Sequence, residues 1–121
     1  MSKRILVVDD DQGILKVIKI HLEANGYETV VASDGEEAFK EVERQKPDLV
    51  VADLIMPNLN GWWLSQKLKE DLRFKEIPLI LLSGLLDKDG PPEGNEVGDY
   101  YMAKPLKFDK LLAKIKELIK P

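Results

Sequence analysis

Apolar residues along this chain follow two alternating periods. Short continuous runs of apolar residues mark strands at 4–9, 28–32, 49–53, 79–82 and 99–103. Between them lie stretches with apolar residues three and four positions apart, the period of a helix with one buried face. The first such stretch is 12–25, carried by Ile14, Leu15, Ile18 and Leu22, with Asn25-Gly26 as its stop. The second is 35–46, with Ala38, Phe39 and Val42 inward, a cap from Ser33 or Asp34, and an end before Pro47. The third is 61–72, capped by Asn60 and burying Leu64 and Leu68, and the last is 107–119, with Leu111, Leu112, Ile115 and Ile119 inward. Strands apolar on both faces alternate with helices, which predicts a parallel sheet covered on both sides. One stretch breaks the pattern. Residues 85–98 contain Pro91-Pro92 and Gly90, Gly94 and Gly98 where a fourth helix is due. That composition predicts a loop, or at most one helical turn, over 87–96.

Two of the strands end in acids. Val7-Val8 runs into Asp9-Asp10-Asp11, and Val51-Ala52 runs into Asp53. In parallel sheets ligands bind outside the carboxyl ends of the strands, so these acids converge on one edge. Crowded carboxylates repel one another and call for a cation. Hard oxygen ligands suit Mg²⁺, which retains waters and accepts phosphate oxygens as further ligands. Lys104, after the fifth strand, reaches the same edge as a point charge for phosphate. Asp11 reads better as the N-cap of the first helix than as a ligand.

The chain has 121 residues, 44% hydrophobic and 33% charged, which is one globular domain spanning 1–121. No apolar run reaches the roughly 18 residues that cross a membrane. The N-terminus leads straight into a strand, so no secretory signal is expected, and a cytoplasmic location is. The absence of cysteine excludes disulfides and cysteine-bound zinc, and the net charge of −4 argues against direct nucleic-acid binding.

Four segments together resemble the receiver domain of two-component response regulators, in particular the single-domain chemotaxis type. They are Val7-Val8-Asp9-Asp10, Asp53 through Gly61 (with Met56-Pro57), Leu81-Leu82-Ser83-Gly84, and Tyr101-Met102-Ala103-Lys104-Pro105. The resemblance implies a flavodoxin-like (βα)5 fold, doubly wound, with strand order 2-1-3-4-5, here with its fourth helix degraded or replaced by a loop. It implies that Asp53 is a phosphoacceptor served by a histidine kinase or a histidine phosphotransfer protein. Asp10 then reads as a direct Mg²⁺ ligand together with Asp53, Asp9 as binding through water or orienting the site, and the resemblance adds the main-chain carbonyl of Ile55 as a third protein ligand. Ser83 becomes the switch hydroxyl, Lys104 the partner of the phosphoryl oxygens, and Tyr101 an aromatic that swings inward when Ser83 moves. The Lys104-Pro105 bond is often cis in such proteins. Ile55 and Leu85 would flank the hydrolytic water, and neither can orient it.

Two other functions fit parts of the pattern. A small Mg²⁺-dependent phosphohydrolase would also use an aspartyl phosphate, but Asp53-Leu54-Ile55 offers no second acid for general acid–base work. A docking module that is never phosphorylated would explain the broken fourth helix but not the intact acids, Ser83 and Lys104. Trp62-Trp63 is expected to pack against the irregular segment. His21, alone on the first helix, is expected to be a surface residue.

Overall fold

The computed structural model describes residues 2–54, 60–84 and 100–119. Strands β1 (Arg4–Val8), β2 (Glu28–Ala32), β3 (Leu49–Asp53), β4 (Leu79–Ser83) and β5 (Tyr100–Ala103) form one sheet in the order β2-β1-β3-β4-β5. All four pairings are parallel. Helices α1 (Gln12–Ala24), α2 (Gly35–Gln45), α3 (Gly61–Glu70) and α4 (Phe108–Leu118) cover it. This is the doubly wound α/β arrangement expected from the alternation of periods. The irregular stretch 85–98 and the main chain of Ile55 lie outside the described residues.

Side chains alternate across a strand, so each strand feeds two cores. Ile5, Val7, Leu49, Val51, Ile80, Leu82 and Met102 pack with Leu15, Ile18 and Leu22 of α1 and Leu111 and Ile115 of α4. Leu6, Val8, Val50, Ala52, Leu79, Leu81 and Tyr101 pack on the other face with Ala38 and Val42 of α2 and Leu64 and Leu68 of α3. The three central strands are therefore apolar on both faces apart from Arg4, Asp53 and Ser83 at their ends, whereas the edge strand β2 leaves Val31 exposed.

The helix starts lie where their capping side chains predict. Asp11 accepts from the N–H groups of Gly13 and Ile14 at 2.9 and 3.2 Å. Asp34 accepts from the N–H of Glu37, while the Glu37 carboxylate takes the Ser33 hydroxyl. Asn60 accepts from the N–H of Trp63 at 3.0 Å. Helix α1 stops where Gly26 adopts φ 89°, a left-handed conformation that costs glycine little.

One expectation needs correction. Helix α3 ends at Glu70 rather than at 72. The Asp71 carboxylate accepts from the Arg73 main-chain N–H and from Nε and Nη2 of its guanidinium, which favours a turn over continued helix. That turn brings Phe74 into the core, 3% exposed. Trp63 packs against α2, where its ring meets Phe39 edge-on with centroids 6.3 Å apart at 78°, while the contact expected with the irregular segment lies outside the described residues. His21 is exposed, as expected, but its ring stacks on Phe108 at 3.8 Å.

Candidate functional site

Asp9, Asp53 and Lys104 continue the side-chain alternation of β1, β3 and β5 on one face of the sheet. Asp9 follows Ile5 and Val7, Asp53 follows Leu49 and Val51, and Lys104 follows Tyr100 and Met102. Their functional groups meet beyond the strand ends. Lys104 Nζ lies 3.3 Å from Asp9 Oδ2 and 3.3 Å from Asp53 Oδ2. Asp9 is 2% exposed and Asp53 9%.

The second oxygen of Asp9 accepts from the Asp11 N–H at 2.9 Å, so both of its carboxylate oxygens are engaged by the protein. Asp10 is exposed. One carboxylate oxygen from each of Asp9, Asp10 and Asp53 can be chosen so that all lie within 4.8 Å of one another. Three hard, anionic donors with one open side are the donor chemistry that a small divalent cation such as Mg²⁺ requires.

Burial works against the charge on Lys104. The Asp53 and Asp9 carboxylates outweigh it, and the lysine pKa stands above its ordinary value. The lysine therefore stays protonated throughout the physiological range and offsets part of the acid charge. Its main-chain N–H donates to the Ser83 carbonyl at 3.0 Å, which ties the end of β5 to the end of β4. The Lys104–Pro105 bond is cis.

Ser83 is 1% exposed at the end of β4, and the next residue, Gly84, is exposed. A Cβ on Gly84 would meet nothing within 4 Å, so the approach past this residue is open. Tyr101 is buried, with its ring in the core shared with α2 and α3.

Two features were not anticipated from sequence. Gly61 starts α3 pressed against the end of β3, and a Cβ there would lie 2.5 Å from the main-chain oxygen of Asp53. Beside Lys104 an apolar cleft of about 520 Å³ runs between α1 and the start of α4, lined by Ile14, Val17, Leu106 and Phe108 among others. The first could have been suspected from a glycine placed directly after a helix cap. The second depends on two segments far apart in sequence and left no local signal.

Residues 5–116 match the response regulator receiver domain. The chain belongs to the response regulator receiver family. This receiver is 38% identical over 121 residues to the alkaline phosphatase synthesis transcriptional regulatory protein PhoP of Bacillus subtilis, covering 99% of the chain and 50% of the relative. It is 35% identical to the phosphate regulon transcriptional regulatory protein PhoB of Pseudomonas aeruginosa, covering 99% of the chain and 53% of the relative. The receiver thus spans about half the length of these curated relatives. Among solved structures it resembles the response regulator TrrA of Thermotoga maritima, which was crystallised with Mg²⁺ and BeF. That match has a TM-score of 0.85 and 33% identity, over 97% of this chain and 99% of that one. As a receiver, the domain is a phosphoacceptor of two-component signalling. These relatives favour neither the phosphohydrolase nor the unphosphorylated docking module. Among the described residues no helix is long and apolar enough to cross a membrane.

Proposed function

We propose that Asp53 is the residue that accepts the phosphoryl group, and that a histidine kinase or a histidine phosphotransfer protein in the cytoplasm supplies it. The observation that carries this reading is the meeting of Asp9, Asp10 and Asp53 at one strand edge, with Lys104 paired to Asp9 and Asp53. A carboxylate oxygen of Asp53 attacks phosphorus as the bond from phosphorus to the donor imidazole nitrogen breaks. The imidazole leaves with the electron pair and takes up a proton, and an acyl phosphate remains on Asp53. Lys104 is placed to exchange part of its contact with Asp53 for a phosphoryl oxygen. Ser83 donates its hydroxyl hydrogen to another.

Mg²⁺ fits the three carboxylates, with Asp10 as direct ligand, Asp9 through water and the Ile55 carbonyl as a further ligand. Bound there, it would neutralise the acid cluster and clamp the phosphoryl oxygens. Tyr101 is the proposed readout. Its inward and outward rotamers would differ in population once Ser83 engages the phosphate, which requires a bias of only a few kcal/mol.

Intact mass after incubation with acetyl phosphate and Mg²⁺ tests the assignment. The wild type should gain one phosphoryl group and Asp53→Asn none. Equal labelling of both would remove Asp53 from the role.

A further inference from the structure

We infer that Gly61 is a positioning residue for phosphoryl transfer, acting through the peptide of Asp53. The inference rests on Asp53 being the acceptor, as proposed above. An added Cβ at Gly61 would lie 2.5 Å from the Asp53 carbonyl oxygen, 2.9 Å from Leu81 Cδ2 and 3.0 Å from Leu54 Cα. Two of these three atoms are main chain, and one belongs to the acceptor itself. A flexible side chain could turn away, but a strand peptide cannot.

Both sides of this contact are held. On the sheet side, Asp53 pairs with Leu82 in the β3–β4 register, and the Leu54 N–H donates to the Leu82 carbonyl at 2.7 Å. On the helix side, the Gly61 N–H donates to the Leu54 carbonyl at 3.1 Å, and Asn60 caps the turn. One and two turns on, Leu64 and Leu68 are 0% and 1% exposed. A methyl group therefore cannot be accommodated by retreat of α3 alone, and part of the displacement falls on Asp53.

The Asp53 carboxylate has little room for error. It already shares Lys104 with Asp9 at matched distances of 3.3 Å, and it must present one oxygen in line with an incoming phosphorus. Displacements approaching 1 Å at a reacting group slow a positioned reaction by up to about a hundredfold. Gly61 thus serves the reaction by what it lacks. The bare Cα lets the start of α3 lie against the acceptor peptide and hold it in place.

The test compares labelling rates by acetyl phosphate for wild type, Gly61→Ala and Leu68→Ala, each expressed per folded molecule at a temperature where folding is complete. Leu68→Ala loosens α3 without adding an atom beside Asp53. Gly61→Ala should label at least about tenfold more slowly at saturating Mg²⁺ and donor, with little change in the donor concentration giving half-maximal rate. Leu68→Ala should label at the wild-type rate. If Gly61→Ala does not fold, Gly61→Ala/Leu81→Ala takes its place, since it relieves the Leu81 contact and keeps the one with the Asp53 carbonyl. A wild-type rate in the alanine variant at position 61, single or double, overturns the inference while leaving Asp53 as acceptor. Loss of labelling on Leu68→Ala as large as that on Gly61→Ala would also overturn it. Failure of wild type itself to label at Asp53 would instead remove the reading on which it rests.

Discussion

The ammonium group of Lys104 and the carboxylate of Asp53 lie 3.3 Å apart although 51 residues separate them along the chain. Both are mostly buried, and the same ammonium also meets Asp9. Removing it leaves two carboxylates facing each other with little water between them. Lys104→Met should cost about 2 kcal/mol in chelator, as read by urea denaturation. Mg²⁺ should recover much of that loss. The pH dependence has a definite sign. A lysine whose folded pKa lies above its ordinary 10.5 contributes stability in full below that value, and the contribution is lost as pH rises through the folded pKa. The methionine variant should lack this alkaline loss. A variant as stable as wild type in chelator at pH 7 would show that the pair contributes nothing.

Asp10 behaves differently because it is exposed and, among the described residues, Lys104 pairs with Asp9 and Asp53 rather than with it. Its charge adds to the repulsion around Asp9 and Asp53 when no cation is present. Asp10→Asn should therefore melt at a higher temperature than wild type in chelator and gain less from Mg²⁺, by linkage between binding and folding. Melting curves with and without Mg²⁺ decide the matter. Indifference to Mg²⁺ in both proteins would contradict the assignment of the cation site.

Trp63 and Phe39 join α3 to α2 through an edge-on aromatic contact. Phe39 also meets Phe74 edge-on at 6.0 Å, so one ring links the two helices and the turn that follows α3. Trp63→Ala should cost about 2 kcal/mol. Combined with Phe39→Ala, the two losses should fall short of additivity by about 1 kcal/mol. Denaturant titrations of the two single variants and the double variant measure this. Strict additivity would mean that the rings do not support one another.

The lifetime of the phosphorylated state is expected to depend on Ile55 and Leu85, two apolar residues outside the described ones that the family resemblance would set beside the approach of water. Neither can hydrogen-bond or orient a water molecule. Loss of phosphate from Asp53 should be slow in wild type and faster in Ile55→Asn or Leu85→Glu, followed by the decay of labelled protein after removal of donor. If neither polar variant decays faster, shielding by these side chains is not what governs the lifetime.

Much of the fold was legible because its signals are local. Aspartate and asparagine before apolar-periodic stretches marked the starts of α1, α2 and α3, and Asn25-Gly26 marked the end of α1. Continuous apolar runs marked strands buried on both faces. The end of α3 was misread because the hydrogen bonds from Arg73 to Asp71 compete with the helix, and no period records them. The acids and the lysine were legible as types and positions. Their meeting at 3.3 Å depends on strand order, which hydrophobic spacing does not encode. The packing of Trp63 on Phe39 was missed for the same reason, since it depends on two helices lying side by side.

The alternation that delivers Asp9, Asp53 and Lys104 to a single face has a further consequence. They come from β1, β3 and β5, and β4 lies between the last two. A slip of one residue in any of these strands would carry its charged group to the opposite side of the sheet. On the roles proposed for these residues, chemical competence would require β5 to be docked in register beside β4. Incorporation of label would then double as a quality check on assembly of the sheet.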